Sequence, residues 1–467
     1  MNGRGTLYSM TRRTLALLLV TNAAWGQHLT PPPDAAAQVK RVFSRFDSTA
    51  TPGCAVGVSL AGDTQLTAAY GMADLEHDVA IRPDTIFEPG SVTKQFTAAA
   101  VLLLAQQGKL SLDDPVRKYI PELPDYGAPL TIRHLLNHTS GLRDWGSLEG
   151  IAGWPRTTRA YTHAHVLEIL SRQRALNYPP GAEYSYTNSG YNLAAILVGR
   201  VAGKPLPEFT RENLFLPLGM TSTSWRDDFR RIVKNRAIAY RQSGGEISQL
   251  MPFENIYGNG GLLTTVGDLL KWNRNFTTAQ IGGRDFVAQQ QHQARLNDGR
   301  TIAYAAGLFI ETYKGLKEVG HSGSTAGYNA WLGRYPDYDL NVAVLCNSAA
   351  ANGTQLAHAV ADVYLGDAAK ATPAPRTTRV TIEPWKPTAE QLASYAGDYT
   401  SDEIETTLRV AVEDGRLVIH RRPADVIPLT PISTNTFNSS LGTVKFLGQE
   451  LSVHESRVWD LRFKRSL

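Results

Sequence analysis

Glu88-Pro-Gly-Ser-Val-Thr-Lys-Gln-Phe-Thr-Ala-Ala-Ala-Val-Leu-Leu-Leu-Ala-Gln-Gln107 reads as a sharp turn running straight into a helix. Pro89 and Gly90 break whatever precedes them, the Ala/Leu-rich run has high helix propensity, and Gly108 is placed to close it. Ser91 then falls at the helix N-terminus, with Lys94 one turn further along the same face. A serine hydroxyl attacks poorly until a neighbour takes its proton. A lysine desolvated at an apolar helix start can be that neighbour, because burial disfavours its charged form. The helix dipole favours negative charge developing at Ser91. An isolated S-x-x-K is equally well an N-cap followed by a solvated lysine. The spacing occurs once in the chain, so partners elsewhere must decide.

Outward from this turn the pattern is strands, helices, strands. Pro52–Leu60 and Thr64–Tyr70 are predicted strands joined at Gly62-Asp63, after a Pro-rich leader and an amphipathic helix reaching Phe46. Lys109 to about Asn275 is mainly helical. Strands return at Gly307–Glu311, Leu316–His321, Ala330–Tyr335 and Leu340–Cys346, with turns at Tyr313–Gly315, Ser322–Tyr328 and Pro336-Asp337 and a closing helix at Thr354–Leu365. The expected fold is α+β: one antiparallel sheet completed late, flanked by helices, with a helical subdomain inserted.

The chain has 467 residues, 42% hydrophobic and 19% charged, which is ample for a large core and more than one domain. Its net charge of +4 is largely an end effect: Arg4, Arg12 and Arg13 leave 44 basic against 43 acidic residues beyond residue 26. No basic run argues for nucleic acid. Residues 1–26 read as a signal peptide, with Arg12-Arg13, the apolar Thr14–Val20 and the small-x-small site Ala24-Trp-Gly26. We therefore expect an exported protein, periplasmic or secreted, without stable membrane insertion.

The histidines and cysteines are read conservatively. His134 and His138 stand four apart, but Leu135 occupies the place of the glutamate in H-E-x-x-H, so a structural role is favoured over zinc. His163 and His165, two apart on a helix, are expected at the surface. Cys54 and Cys346 lie in apolar runs, where a disulfide and two buried thiols fit equally well. Neither a metal nor a cofactor is expected.

Tyr186 and Asn188 sit in a loop held by the apolar helix Asn192–Ala202, where positioned catalytic groups are often found. Tyr257–Leu262 is a glycine-rich loop placed near the same cleft. The domain reading is residues 27–367, a Pro-rich linker at 368–388, and a small β domain at 389–467. The last has strands such as Leu408–Val412 and Leu417–His420 around Asp414-Gly415.

With Ser91, Lys94, Tyr186, Asn188 and His321-Ser-Gly323 in view, residues 40–360 resemble a family of serine hydrolases. It comprises class C β-lactamases, low-molecular-mass penicillin-binding proteins, D-aminopeptidases and β-lactamase-like esterases. Gly108–Pro115, His134–Leu142 and Gly260–Thr265 match further family stretches in the same order. The resemblance implies a β-lactamase/transpeptidase-like fold, and the C-terminal part is similar to small barrel-like domains appended to some members. By the same resemblance Ser91 is the acylated nucleophile, and Lys94 helps deprotonate it. Tyr186 is a general acid/base with a lowered pKa, and Asn188 bonds Lys94 or the substrate amide. The backbone N–H groups of Ser91 and Ser324 form the oxyanion hole, with Ser322 and Gly323 in the substrate-binding strand.

His321 stands where many relatives carry the lysine of Lys-Thr-Gly. A histidine titrating near 6.5 would bind a substrate carboxylate more weakly and with a pH dependence. The expected function is serine acyl-hydrolysis of peptide, amide or ester bonds, of the D-amino-acid peptidase/esterase type. The expected substrate is a small molecule or short peptide, with cell-wall-derived peptides among the candidates. A dedicated class C-like β-lactamase and a non-catalytic penicillin-binding-like protein are the alternatives. The C-terminal domain is expected to narrow access to the cleft.

Overall fold

The computed structural model describes Met1, Gly3 and residues 29–156, 158–369 and 385–466. Apart from Met1 and Gly3, the region read as a signal peptide therefore lies outside the described residues, as does most of the segment read as a linker. The first sheet holds six strands: β1 Cys54–Leu60, β2 Asp63–Tyr70, β3 Phe309–Tyr313, β4 Leu316–Thr325, β5 Tyr328–Tyr335 and β6 Leu340–Cys346. Their spatial order is β2-β1-β6-β5-β4-β3, every pair antiparallel. The early hairpin thus pairs through β1 with β6, and the sheet closes only when the C-terminal meander arrives. The α+β expectation holds.

Burial explains why β1 and β6 are almost continuously apolar, with Ser59 and Asn341 the exceptions. Every residue of both strands is buried. Val56 and Val58 of β1, with Val342 and Val344 of β6, face a core shared with the helices Ala35–Val42 and Gly353–Leu365. Ala55, Ala343 and Leu345 point the other way, into the core beneath the helical region. A period of two with both faces covered leaves little room for polar positions. Cys54 and Cys346 are directly opposed on β1 and β6 and form a disulfide, which settles the two readings left open above.

The quoted stretch forms a 3-10 turn, Gly90–Thr93, leading into the helix Lys94–Gln106, whose residues from Lys94 to Leu104 are all buried. A helix buried all round is a core element. It packs against the helix Asn188–Ala202, which sets the nucleophile turn beside the Tyr186 loop. The strand β4 runs on to Thr325, so the turn expected at Ser322–Tyr328 narrows to Ala326-Gly327. Small polar residues there read as a turn, yet they are the residues that let the nucleophile turn approach the strand.

A second antiparallel sheet of nine strands spans Gly397 to Arg465 and curls into a nearly closed barrel-like domain. The Asp414-Gly415 hairpin joins Thr406–Glu413 to Arg416–Arg421, as expected. This domain packs on the first through Arg143, whose guanidinium reaches Glu403 at 2.8 Å and the carbonyls of Trp459 and Asp460 at 3.3 Å.

Candidate active site

The nucleophile turn is fixed from behind by a buried ion pair. Glu88 accepts two hydrogen bonds from Arg226, at 2.8 and 3.0 Å. Burial raises the Glu88 carboxyl, but Arg226 outweighs it and holds the pKa below the ordinary value. From the front, the turn presses on β4. A Cβ on Gly323 would stand 1.9 Å from the Pro89 carbonyl, and one on Gly90, at φ +53°, would stand 2.6 Å from the Ser324 nitrogen. Only glycine fits at either position. The contact brings Ser91 and Ser324 onto the rim of one cavity of about 770 Å³.

Lys94 is fully buried beneath that rim. Its Nζ lies 3.1 Å from Ser91 Oγ, 3.0 Å from Asn188 Oδ1 and 2.8 Å from the Asn259 carbonyl; as a neutral amine it donates to the last two and turns its lone pair to the serine hydroxyl. All three partners are neutral, and among the described residues no carboxylate contacts the amine. Desolvation first, then the Arg457 guanidinium, push its pKa well below the ordinary lysine value. A neutral amine at hydrogen-bond distance from a serine hydroxyl is a proton acceptor for it.

Tyr186 and Asn188 line the same cavity. The Tyr186 ring lies 4.8 Å from Lys94 Nζ, and its buried hydroxyl makes no well-formed hydrogen bond among the described residues. Burial raises its pKa, and the nearby Ser91 and Arg457 offset only part of that. The lowered phenol pKa expected from the sequence is therefore not found. The hydroxyl itself is buried, and Lys94 beneath the ring is driven toward neutrality. As an intact phenol, Tyr186 is a proton donor. Asn188 is aimed by Asp144, whose carboxylate accepts the Asn188 N–H at 2.6 Å.

His321 differs most from expectation. Its Nδ1 lies 2.5 Å from the Ser322 carbonyl, which can only accept, so Nδ1 carries the proton. Nε2, 3.1 Å from the Tyr304 hydroxyl, then accepts from the phenol. Both nitrogens are used inside the protein, and burial, with Lys94 second, holds the pKa down at about 3. His321 neither titrates near 6.5 nor offers a free donor to a carboxylate.

His134 caps its own short helix by accepting the Thr131 N–H, while His138 is buried among Tyr186, Tyr191 and Tyr304 and accepts the Thr187 N–H at 3.2 Å. They share no ligand site. His165 is exposed, whereas His163 turns inward to the Tyr257 carbonyl at 2.9 Å. The surface assignment of His163 fails because its neighbour is the glycine-rich loop, whose packing has no local signal. That loop supplies the Asn259 carbonyl to Lys94. Sequence reasoning missed Asp144, Tyr304, Arg156, Arg457 and Asn192, whose amide holds the same loop by donating to Asn259 Oδ1 at 2.8 Å. A larger groove of about 1020 Å³, bounded by Leu102–Leu112 and Asp285–Arg295, contains none of Ser91, Lys94, Tyr186, Asn188 and His321.

The sequence profile described as Beta-lactamase matches residues 39–365, and the chain belongs to that family of serine hydrolases. Penicillin-binding protein 4* of Bacillus subtilis is 29% identical over 308 residues, covering 61% of this chain and 66% of that protein. D-aminopeptidase of Cereibacter sphaeroides is 28% identical over 321 residues, covering 68% and 60%. The chain thus spans about three fifths to two thirds of the length of these relatives. The octameric penicillin-binding protein homologue from Pyrococcus abyssi superposes with a TM-score of 0.64 at 23% identity, over 92% of this chain and 99% of that one. D-amino acid amidase from Ochrobactrum anthropi gives 0.59 at 23% identity, over 71% and 97%. At such identities the likeness is one of fold.

Proposed function

We propose that the chain is an exported serine acyl-hydrolase that cleaves peptide, amide or ester bonds of small substrates through a Ser91 acyl-enzyme. D-amino-acid amides and esters are the favoured class. The observation that carries this is the buried Lys94 amine, held by neutral acceptors and directed at Ser91 Oγ. Lys94 accepts the Ser91 proton as the oxygen attacks the substrate carbonyl. The carbonyl oxygen enters between the N–H groups of Ser91 and Ser324, where forming negative charge meets preorganised donors. Tyr186, a phenol with a raised pKa, protonates the leaving group, and water then releases the acyl group by the reverse route.

The D-amino-acid preference draws on the names of the relatives, a D-aminopeptidase and a D-amino acid amidase among them. Hydrolysis of D-phenylalanine amide, p-nitrophenyl acetate and a chromogenic cephalosporin by wild type and Ser91→Ala tests the reading. Turnover of the amide or ester that vanishes in the variant supports it. Turnover confined to the cephalosporin makes the protein a β-lactamase instead. Export rests on residues 1–26, and amino-terminal sequencing of protein recovered outside the cytoplasm should begin at Gln27.

A further inference from the structure

Arg457 belongs to the C-terminal barrel, in the turn between Glu450–Glu455 and Val458–Arg465, yet it lines the Ser91 cavity. The turn is fastened at several points. Its Arg457 carbonyl accepts the Asp144 N–H at 3.2 Å and an Asn177 Nδ2 hydrogen at 3.1 Å. The Trp459 N–H returns to Asn177 Oδ1 at 2.8 Å, and the Trp459 ring packs 5.1 Å from Tyr178. Its main chain is thus committed to docking and its side chain is left for the cavity. The guanidinium carbon stands 5.1 Å from the centre of the Tyr186 ring.

Charge in the cavity is one-sided. Among the described residues no acidic side chain lines it, and a second arginine there, Arg156, is gripped bidentately by Glu254 at 2.8 and 2.5 Å. Arg457 has no ion pair among the described residues. Lys94 is spent on Ser91 and its neighbours, and His321 has neither charge nor a spare nitrogen to give. A cation on a low-dielectric wall without a counter-ion favours an anionic ligand, and a guanidinium matches a carboxylate in shape.

We infer that Arg457 is a specificity-determining residue that holds a free carboxylate of the substrate, so that the barrel completes the active site and selects anionic acyl substrates. The inference rests on the Ser91 reading above for the reaction, but not for the binding. The carboxylate-bearing part of the substrate lies across the Tyr186 ring, beside the group that protonates the leaving atom. This takes the place of recognition by the strand residue at 321.

The test compares N-acetyl-D-alanyl-D-lactic acid with its C-terminal primary amide, following release of N-acetyl-D-alanine. Arg457→Ala should lower the acid-to-amide ratio of kcat/KM about tenfold or more, Arg457→Lys should retain most of the ratio, and Arg457→Glu should invert it. An unchanged ratio in Arg457→Ala, or equal losses on both substrates, would overturn the inference. A second measurement needs no turnover: calorimetric titration of N-acetyl-D-alanyl-D-lactic acid into Ser91→Ala, which cannot be acylated. Affinity should fall about tenfold or more when Arg457→Ala is added, with the thermal midpoint of each variant showing that it is folded. Equal affinity contradicts the carboxylate role even if the protein proves to be no hydrolase. Absence of turnover with Arg457-dependent binding would instead count against the Ser91 reading alone.

Discussion

The Asp144 backbone N–H donates to the Arg457 carbonyl at 3.2 Å, joining the residue that orients Asn188 to the barrel. Asp144 also caps the helix Trp145–Ala152 through the Ser147 N–H at 3.1 Å. One residue therefore ties together a helix start, the Lys94 partner Asn188 and the docked domain. The preceding residue, Arg143, carries the other half of the docking.

Breaking the Arg143–Glu403 pair should accordingly damage both stability and catalysis. The side chains are only 3% and 11% exposed, so removing one leaves the other buried without its partner. Glu403→Ala should cost about 3–5 kcal/mol. It should also lower kcat, because the Asp144–Asn188 contact is supported from the same segment. Thermal melts and kcat for D-phenylalanine amide read the two effects.

Lys94→Met should separate stability from activity. In the unfolded chain this lysine stays protonated up to its ordinary pKa, while in the folded protein its pKa is well below that value. Below the ordinary lysine pKa folding must therefore shed a proton, and below the folded pKa it must bury the charge; both oppose it. Replacing the amine by an apolar group should raise the melting midpoint by a few degrees and cost about 100-fold or more in kcat. In wild type, kcat/KM should rise with pH as Lys94 loses its proton. The Tyr186 limb should lie at high pH, beyond the ordinary phenol range.

Acid stability is a separate matter. Unfolded His321 takes up a proton as pH falls through about 6.5, whereas folded His321 resists until about 3. The unfolded state binds more protons in that window, so stability is full above it and falls on acidification. The slope is at most about 1.4 kcal/mol per pH unit for each such group. Buried His138 acts in the same direction. Denaturant melts from pH 7 to pH 4 should show the decline, reduced in His321→Gln.

Gly323→Ala should disable the site by collision. The new methyl would meet the Pro89 carbonyl at 1.9 Å, forcing the nucleophile turn away from β4 and separating the N–H groups of Ser91 and Ser324. A loss of about 100-fold or more in kcat is expected, with destabilisation of about 1–3 kcal/mol. Single-turnover acylation rates would read it most cleanly.

The disulfide predicts a simple titration. Denatured without reductant, the protein should take up no thiol-alkylating reagent; after reduction it should take up two equivalents, one each at Cys54 and Cys346. Reduction should also lower the melting midpoint, because the bridge closes a loop across 292 residues of chain.

What could be read in advance follows the range of the interactions. Ser91, Lys94, Tyr186 and Asn188 carry signals within a few residues of themselves: a broken turn, an apolar helix and a loop before a second helix. The sheet was legible because β1 and β6 are buried on both faces and so read as apolar runs. The extent of β4 was not, since Ser322-Gly-Ser-Thr325 is chosen for close approach to the nucleophile turn and so mimics a loop. Nor were the roles of His321 and Tyr186, whose protonation is set by burial among residues distant in sequence. Arg457 had no local signal. It is a single arginine in a hairpin, more than 300 residues from Ser91, and only docking gives it a function.

The central claim is that Ser91 is activated for acylation by Lys94. The most direct test is the intact mass of the protein after reaction with a fluorophosphonate, with peptide mapping and Ser91→Ala alongside. A single adduct mapped to Ser91, absent from that variant and slowed about 100-fold or more by Lys94→Met, is the predicted result. An unlabelled but folded wild type, or an adduct that persists in Ser91→Ala, would contradict the claim.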